Sequence, residues 1–205
     1  MDRVSASTVT RLSGYYRILA EFEGQKIDTI SSERLAERAG ISSAQVRKDL
    51  SSFGNFGRRG LGYNVRQLSG EIGSILGLTR RWSVALLGAG NLGHALFAYK
   101  EFQKHGFCID YVFDVDPSKV GKGWDGIPIR HFDELQQVAS TRGIDIAIVA
   151  VPVAAAQAVA DRAIAAGIRA ILNFAPGKIV IPDEVALRNV DLSIAMESLS
   201  YALVK

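Results

Sequence analysis

The sequence contains a single cysteine, Cys108, and only three histidines, His94, His105 and His131. One cysteine cannot form an intrachain disulfide, and its apolar neighbours favour a buried thiol over a redox-active one. The histidines are scattered and lie outside any cluster with metal-ligand spacing. We therefore expect no metal site and no catalytic residue.

Long hydrophobic runs are also missing from the sequence. No apolar stretch approaches the roughly 18 residues that span a bilayer, and the polar amino terminus lacks the apolar core of a signal peptide. Hydrophobic residues make up 48% and charged residues 22% of the chain, which is typical of a globular protein. These features predict a cytoplasmic protein without a membrane partner.

Positive charge is concentrated in the first part of the chain. Residues 1–81 carry 13 Lys and Arg against 8 Asp and Glu, whereas residues 82–205 carry 11 against 13. A basic segment on an otherwise nearly neutral chain indicates a polyanionic partner. The excess is modest, so the argument for DNA also needs a motif.

That motif is a predicted helix-turn-helix in the first eighty residues. A long helix begins near Ser7, and a short one is capped by Ser31 or Ser32. After a turn at Gly40 a third helix begins at Ser42, whose spacing from the following Gln45 is that of a capping box. Two short helices joined by a tight turn after a longer helix form this motif.

The third helix is the predicted DNA-reading element. Its inward apolar positions leave polar and basic side chains on the outer face: Ser43, Gln45, Arg47 and Lys48. In a major groove the two cations reach guanine acceptors or phosphates, and the shorter hydroxyl and amide add base or phosphate contacts.

A glycine-rich segment, residues 54–65, follows this helix. It predicts a β-hairpin with Arg58, Arg59 and Gly60 at a narrow tip that suits the minor groove or its phosphates. Either basic pair alone is equally typical of a solvated surface. Together, on adjacent elements of a winged helix, they favour double-stranded DNA as the partner.

The most informative motif begins at Trp82. Residues 82–87 predict a buried strand, and glycines follow it with the spacing Gly-x-Gly-x-x-Gly before a helix that is expected to reach about Lys104. In a dinucleotide fold the first glycine permits a tight turn, the second admits the pyrophosphate and the third lets helix and strand pack closely. The predicted contacts with the pyrophosphate are the residues of this turn: Gly88, Ala89, Gly90, Asn91, Leu92 and Gly93.

Asp114 ends the next predicted strand, 21 residues after Gly93. A carboxylate there accepts hydrogen bonds from the adenosine ribose and repels a 2′-phosphate. The residues from Val115 to Pro117 offer no arginine to such a phosphate. The sequence therefore favours NAD(H) over NADP(H), with Asp114 and Val115 in the site.

The remaining pattern of alternating apolar strands and helices predicts parallel strands covered on both faces, with a last strand near Val190–Ala195. The fold class is α/β, a winged helix-turn-helix followed by a Rossmann-like domain. The predicted divisions are a DNA-binding domain at 1–78, a linker at 79–81, an NAD(H)-binding domain at 82–195 and a C-terminal helix at 196–205.

Several long segments are similar, in sequence and in order, to those of the Rex family of redox-sensing transcriptional repressors: Ser43–Ser51, Phe53–Tyr63, Gly88–Gly93, Phe113–Pro117 and Leu172–Pro176. The resemblance covers essentially the whole chain. It implies a homodimer that binds operator DNA when NAD⁺ predominates and releases it when NADH, the effector, binds. It also implies that the C-terminal helix is domain-swapped, packing between the two domains of the partner protomer.

The resemblance further implies roles for single residues. Arg47 and Lys48 would read the major groove, and Arg59 would enter the minor groove. The nicotinamide half of the cofactor would lie near Val151, Pro152, Asn173, Phe174 and Ala175.

A switch is implied as well. Asp191 would change its partner between the two states, with Tyr99, beside the cofactor, and Arg17 of the first helix as the other members.

Two other functions stay open on the residues alone. One is a small NAD-dependent oxidoreductase with an N-terminal assembly module, for which Tyr201 and Lys205 have the spacing of a reductase pair. The other is a regulator that senses a different nucleotide, such as coenzyme A. Because the dinucleotide motif leaves no room for a substrate domain, the sequence favours a sensor over an enzyme.

Overall fold

In a computed structural model that describes residues 4–57 and 61–204, the chain divides into two compact units. The first unit ends at Arg80 and the second begins at Arg81. Within the described residues, no helix has the length and apolar character needed to cross a membrane.

The first unit is helical with a small antiparallel sheet. Its elements are α1 (Ala6–Gly24), β1 (Thr29–Ile30), α2 (Ser32–Ala39), α3 (Ser43–Ser51), β2 (Tyr63–Asn64) and α4 (Val65–Ile75). Each helix begins after a residue whose side chain accepts a backbone N–H of the first turn: Ser5, Ser31, Ser42 and Asn64. One apolar core joins these helices, and it includes Leu12, Leu19, Leu35, Val46 and Ile72.

The glycine-rich segment after α3 pairs differently from the prediction. A hairpin within residues 54–65 was expected, but β2 pairs in antiparallel orientation with β1, so that Ile30 lies opposite Tyr63. The partner strand is supplied by the connection between α1 and α2. Local turn residues do not reveal it because the two strands are far apart in sequence.

The second unit is built on a mixed sheet. Its strands are β3 (Trp82–Leu87), β4 (Phe107–Asp114), β5 (Gly123–Trp124), β6 (Ile127–His131), β7 (Ile146–Val149), β8 (Ala170–Asn173) and β9 (Ala186–Asn189). They are ordered β5-β6-β4-β3-β7-β8-β9, and neighbours are parallel except for the edge pair β5 and β6. The chain order reverses at β3, and such a reversal opens the crevice where α/β folds bind nucleotides.

Helices cover both faces of this sheet. They are α5 (Asn91–Phe97), α6 (Glu101–Lys104), a short 3-10 helix (Phe132–Glu134), α7 (Leu135–Arg142) and α8 (Val153–Ala165). A last helix, α9 (Leu192–Val204), follows β9 and buries none of its described residues. Ala85 and Leu87 belong to the core beneath α7 and α8, whereas the alternate residues Val84 and Leu86 belong to the core beneath α5. The predicted α/β architecture with doubly covered parallel strands is confirmed.

Two predicted elements after the glycine turn are corrected. The helix expected to run to about Lys104 stops at Phe97, because the Tyr99 amide bonds to the Leu96 carbonyl in a tight turn before α6 begins. The strand predicted near Val190–Ala195 is wrong. The last strand is β9, and α9 begins at Leu192 instead of residue 196.

Asp191 explains the early start of α9. Its Oδ1 accepts the backbone N–H of Ser193 at 2.9 Å and the Ser193 hydroxyl at 2.6 Å. A carboxylate that accepts an N–H of the first turn starts a helix. These bonds from Ser193 also hold the pKa of Asp191 below its ordinary value.

A buried carboxylate ties α3 to α1. Asp49, only 2% exposed, accepts hydrogen bonds from Arg11 Nε at 2.6 Å and Nη2 at 2.7 Å, from the Tyr15 hydroxyl at 2.7 Å and from Gln45 Nε2 at 2.8 Å. Burial acts to raise the pKa of Asp49, but the bonds from Arg11, Tyr15 and Gln45 outweigh it and leave the pKa lowered. Because charge-assisted bonds are strong and directional, Asp49 fixes the rotation of α3 against α1.

We expect Asp49→Asn to lower the free energy of unfolding of the first unit by about 1–3 kcal/mol near neutral pH, because Arg11 and Tyr15 lose a charged acceptor. Since the folded-state pKa of Asp49 is lowered, its stabilising contribution is complete above the unfolded value of about 4 and is lost as pH falls through the folded value. Thermal unfolding followed by circular dichroism, from neutral to strongly acidic pH, measures both effects.

The control is Asp28→Asn, which makes the same change at an exposed carboxylate. Its unfolding curve should follow that of the wild type at every pH. A difference between Asp49→Asn and the wild type that stays constant into acid would contradict the assignment of Asp49.

Candidate functional site

The turn between α2 and α3 sets the position of the third helix. Gly40 ends α2 with a φ of 66°, and the Ile41 amide bonds back to the Ala36 carbonyl. On α3, Val46 and Leu50 are buried. The opposite face of the helix therefore lies in solvent.

Arg47 and Lys48 lie on this outer face, and both are exposed. Arg47 Nη1 donates to Ser32 Oγ at 2.8 Å and to Glu33 Oε1 at 3.2 Å, which links α3 to the start of α2. The structure therefore brings the two cations together at one surface, with Arg47 already held by α2.

Ser43 and Gln45 are half-buried on the same helix. Ser42 Oγ accepts the Gln45 amide N–H at 3.2 Å, as expected of a capping box. The Gln45 side chain instead donates to Asp49, so the reciprocal half of the box is not formed among the described residues. The charged acceptor at Asp49 attracts the amide inward, and a contact of Gln45 with DNA stays a prediction.

Arg58, Arg59 and Gly60, the predicted tip of the wing, lie outside the described residues. The residues on either side of them are close together. Gly57 has a φ of 75°, and a Cβ there would lie 2.6 Å from the Gly62 carbonyl oxygen and 2.7 Å from Tyr63 Cδ1. Only glycine fits this close approach of the two arms.

Sequence reasoning missed the role of Asp49. The sequence pattern nevertheless gives its position, because Asp49 follows Val46 by three residues and precedes Phe53 by four. This spacing places it on the inward face of the helix. A charge at an inward position needs a buried partner, and that signal was present in the sequence.

The glycine turn after β3 has the shape that a pyrophosphate needs. Gly88 has a φ of 109°, and a Cβ there would lie 2.5 Å from the Ala150 carbonyl oxygen; a Cβ on Gly93 would overlap the Gly88 carbonyl. At Gly90, by contrast, a Cβ would meet no described atom within 4 Å. Packing thus requires the first and third glycines, and the second faces open space, which fits a pyrophosphate approaching the backbone.

Asp114 is bonded to this turn. Its Oδ2 accepts the Ala89 N–H at 2.7 Å, and its Oδ1 accepts the Asp116 N–H at 2.8 Å. Lys119 Nζ lies 3.1 Å from the same Oδ2. Burial acts to raise the pKa of Asp114, but the bonds from the two N–H groups and from the Lys119 ammonium lower it by more than burial raises it. The pKa is therefore below its ordinary value, and the carboxylate is ionised at neutral pH.

Lys119 was not predicted from the sequence, because only the residues from Val115 to Pro117 were considered as partners of a 2′-phosphate. The chain turns after Asp116, whose carbonyl accepts the amides of Lys119 and Val120. This turn returns the lysine to Asp114, and its Nζ also lies 3.7 Å from an Asp116 oxygen. The expected ribose-binding acid therefore has a cation beside it.

The other predicted cofactor contacts follow the carboxyl ends of parallel strands. Val115 follows β4, Val151 and Pro152 follow β7, and Phe174 and Ala175 follow β8. Since β3, β4, β7 and β8 are parallel neighbours, these residues share one edge of the sheet with the glycine turn.

Asn173 is fully buried, and its side chain is occupied within the protein. It donates to the Ala175 carbonyl at 3.1 Å and to Asn189 Oδ1 at 2.9 Å, and it accepts the Ala175 N–H at 3.0 Å. These bonds join β8 to β9 and shape the loop that carries Phe174 and Ala175.

The predicted switch residues are divided between the two units. Within the described residues, the hydrogen bonds of the Asp191 side chain go to Ser193, and the exposed Tyr99 ring packs edge-on against Phe102 with centroids 5.1 Å apart. Arg17 is exposed on α1, in the other unit. The switch stays a prediction.

The groups considered for catalysis have ordinary surroundings. His94 packs edge-on against Trp124 at 4.9 Å, and His131 Nδ1 accepts the Asp133 N–H. Tyr201 is on α9, whereas Lys205 lies outside the described residues. Across residues 4–57 and 61–204 there is no group of His, Cys, Asp and Glu that could hold a metal ion.

Comparison with known proteins covers both units. The family described as "Putative DNA-binding protein N-terminus" matches residues 3–51, and the family described as "CoA binding domain" matches residues 79–177. Among solved structures, RSP in complex with β-NAD⁺ and operator DNA has a TM-score of 0.95 and 38% identity over 99% of this chain and 94% of that chain. RSP in complex with β-NADH has a TM-score of 0.89 and 36% identity over 99% and 95%.

Curated relatives match nearly from end to end. The redox-sensing transcriptional repressor Rex of Syntrophobacter fumaroxidans is 46% identical over 98% of this chain and 96% of its own length. The Rex repressor of Desulfitobacterium hafniense is 48% identical over 97% and 95%. These names confirm the prediction of a regulator instead of an enzyme. The chain belongs to the Rex family of redox-sensing transcriptional repressors.

Proposed function

We propose that this chain represses transcription by binding operator DNA through α3 and the loop after it, and that NADH bound at the glycine turn releases the DNA. The observation that most directly supports this proposal is that one chain of the Rex family has two such surfaces. It has an exposed Arg47–Lys48 pair on a helix-turn-helix and a glycine turn that is open at Gly90. The similarity to RSP, which was solved with operator DNA and NAD⁺ and with NADH, supports both halves.

In this proposal the two predicted domains have separate functions. Residues 1–78 bind DNA with the α3 residues and with Arg58, Arg59 and Gly60, and residues 82–195 bind NAD(H). The proposed location is the cytoplasm, where DNA and the NAD(H) pool are both accessible. One cysteine and ordinary composition agree with that location.

Release by NADH requires that the cofactor bind two arrangements of the protein with different affinities. A tenfold change in DNA affinity corresponds to about 1.4 kcal/mol of coupling between the sites. NAD⁺ and NADH differ only at the nicotinamide ring, so the difference must be sensed there. We place that contact at the loops after β7 and β8, whereas Asp114 and the glycine turn hold the part that both forms share.

The test is a mobility-shift assay on pseudo-palindromic promoter DNA, with NAD⁺ and NADH titrated separately. We expect NADH to release the DNA and NAD⁺ to leave it bound. Arg47→Ala should weaken operator binding by about 1–3 kcal/mol, since a guanidinium that reads a base is lost. Equal binding with either cofactor would overturn the proposed function.

A matched control for the arginine is Arg38→Ala. Arg38 of α2 is also exposed in the first unit, and it is likewise paired with a glutamate, Glu21 of α1. Both variants remove one positive charge, so both test the general attraction to DNA. Because Arg47 lies on the proposed reading helix and Arg38 does not, only Arg47→Ala should change the preference among DNA sequences. If the two variants lose operator affinity equally, α3 is not the reading helix.

Cofactor choice gives a second test. Asp114→Ala should weaken NADH binding and strengthen NADPH binding by about tenfold or more, because it removes a carboxylate that repels a 2′-phosphate and frees Lys119 to pair with it. Fluorescence titration with both cofactors measures the ratio. Asp114→Ala combined with Lys119→Ala should lose most of the gain for NADPH.

The comparison variant is Asp116→Ala, which removes a carboxylate near Lys119 but leaves the bond from Ala89 to Asp114 in place. Its preference for NADH should persist. An unchanged cofactor ratio in Asp114→Ala would show that this acid does not contact the ribose.

We also propose that the chain acts as a homodimer through α9. Every described residue of this helix is exposed, and the apolar ones include Leu192, Ile194, Met196, Leu199, Tyr201 and Leu203. A helix of 13 residues is marginally stable alone in water, and an apolar patch of this kind marks an interface. Burial against the partner protomer, as the domain swap requires, supplies the missing stabilisation.

Leu199→Glu should shift the protein from dimer to monomer in sedimentation velocity and reduce operator affinity, since a buried unpaired charge opposes docking. Ser200→Glu is the control, because Ser200 lies on the polar stripe with Ser193 and Glu197 at helical spacing. A Leu199→Glu protein that remains dimeric would exclude α9 as the contact.

A further inference from the structure

Two side chains of α2, Ser32 and Glu33, form a small cluster with the Arg47 guanidinium of α3. Arg47 Nη1 donates to Ser32 Oγ at 2.8 Å and to Glu33 Oε1 at 3.2 Å, and Ser32 Oγ donates to the same Glu33 oxygen at 3.1 Å. Ser32 is buried, so packing fixes the position of its hydroxyl. The two bonds from Nη1 therefore hold the guanidinium in one orientation.

The edge of Arg47 that faces away from this cluster keeps its donors. Within the described residues Nε and Nη2 of Arg47 bond to no other group. A guanidinium reads guanine or a phosphate with two neighbouring N–H groups in a fixed fork. The Nε and Nη2 pair is such a fork, and Ser32 and Glu33 leave it available.

Strand pairing brings Tyr63 near the start of α2, because Tyr63 of β2 lies opposite Ile30, two residues before Ser32. Burial raises the pKa of Tyr63, the Arg47 cation acts to lower it, and the Glu33 carboxylate adds to the rise. The same ring covers Gly57 at the base of the loop. Arg47 is thus held where α3 meets the start of α2.

We propose that Ser32 and Glu33 are positioning residues for DNA recognition: they orient Arg47 before binding and so increase the preference for operator over other DNA. The inference rests on the proposed function. An exposed ion pair adds little to folding stability, so its value lies in removing rotamer freedom that Arg47 would otherwise lose on binding. Glu33 also repels phosphates, which weakens binding to any sequence.

Because Glu33 both orients Arg47 and repels phosphates, replacing it should change operator binding and nonspecific binding in different ways. Glu33→Gln should strengthen binding to a scrambled duplex, because a negative charge is gone, while the ratio of operator to scrambled affinity falls about two- to tenfold. Ser32→Ala, which keeps the charge, should lower the ratio without strengthening the scrambled complex. The operator probe is the duplex that the wild type selects from a randomised pool in the presence of NAD⁺.

Glu37→Gln is the matched control, since Glu37 is an exposed carboxylate on the same helix. It should strengthen both complexes alike and leave the ratio unchanged. Equal ratios for Glu33→Gln, Glu37→Gln and the wild type would overturn the proposal.

A double-variant cycle separates this inference from the function on which it rests. If Glu33 acts through Arg47, then Glu33→Gln should not lower the ratio further in an Arg47→Ala background. A further loss there would mean that Glu33 acts independently, which contradicts the proposal. If Arg47→Ala itself leaves the ratio unchanged, the fault lies with the assignment of α3 as the reading helix.

Discussion

The carboxylate of Asp49 is the constraint on which the outer surface of the first unit depends. Because it is buried, its charge must be matched, and the match comes from Arg11 and Tyr15 on α1 and Gln45 on α3. These bonds fix the angle about the α3 axis, and with it the side of the unit on which Arg47 lies. The direction of a surface cation is thus set by an interior anion.

The second unit uses a buried carboxylate in a similar way. Asp114, at the end of β4, accepts an N–H from the glycine turn after β3 and thereby holds that turn against the sheet. The carboxylate expected to bind ribose is therefore also part of the support of the pyrophosphate turn. Lys119 balances its charge, so the local field at the ribose position is weaker than the acid alone would make it.

The two units expose different kinds of surface, each suited to binding a partner. The first presents cations that are already partly oriented, and the second presents an open glycine turn at one edge of a parallel sheet together with α9, whose apolar side chains are all exposed. Each surface suits a partner of different chemistry: a polyanion, a dinucleotide and an apolar protein face. A regulator that couples DNA to a cofactor needs all three.

The sequence by itself determined what depends on neighbouring residues. The cap at Ser42, the glycine spacing from Gly88 to Gly93 and the exposed Arg47–Lys48 pair follow from local sterics and helical periodicity, and the cap of α2 was narrowed to Ser31 or Ser32. Tertiary structure alone decided which distant groups meet: β1 with β2, Lys119 with Asp114, and Asp191 as a helix cap instead of a strand residue. The reason is that a cap or turn is specified within a few residues, whereas strand pairing and ion pairing are settled by competition among partners that only the folded chain brings together.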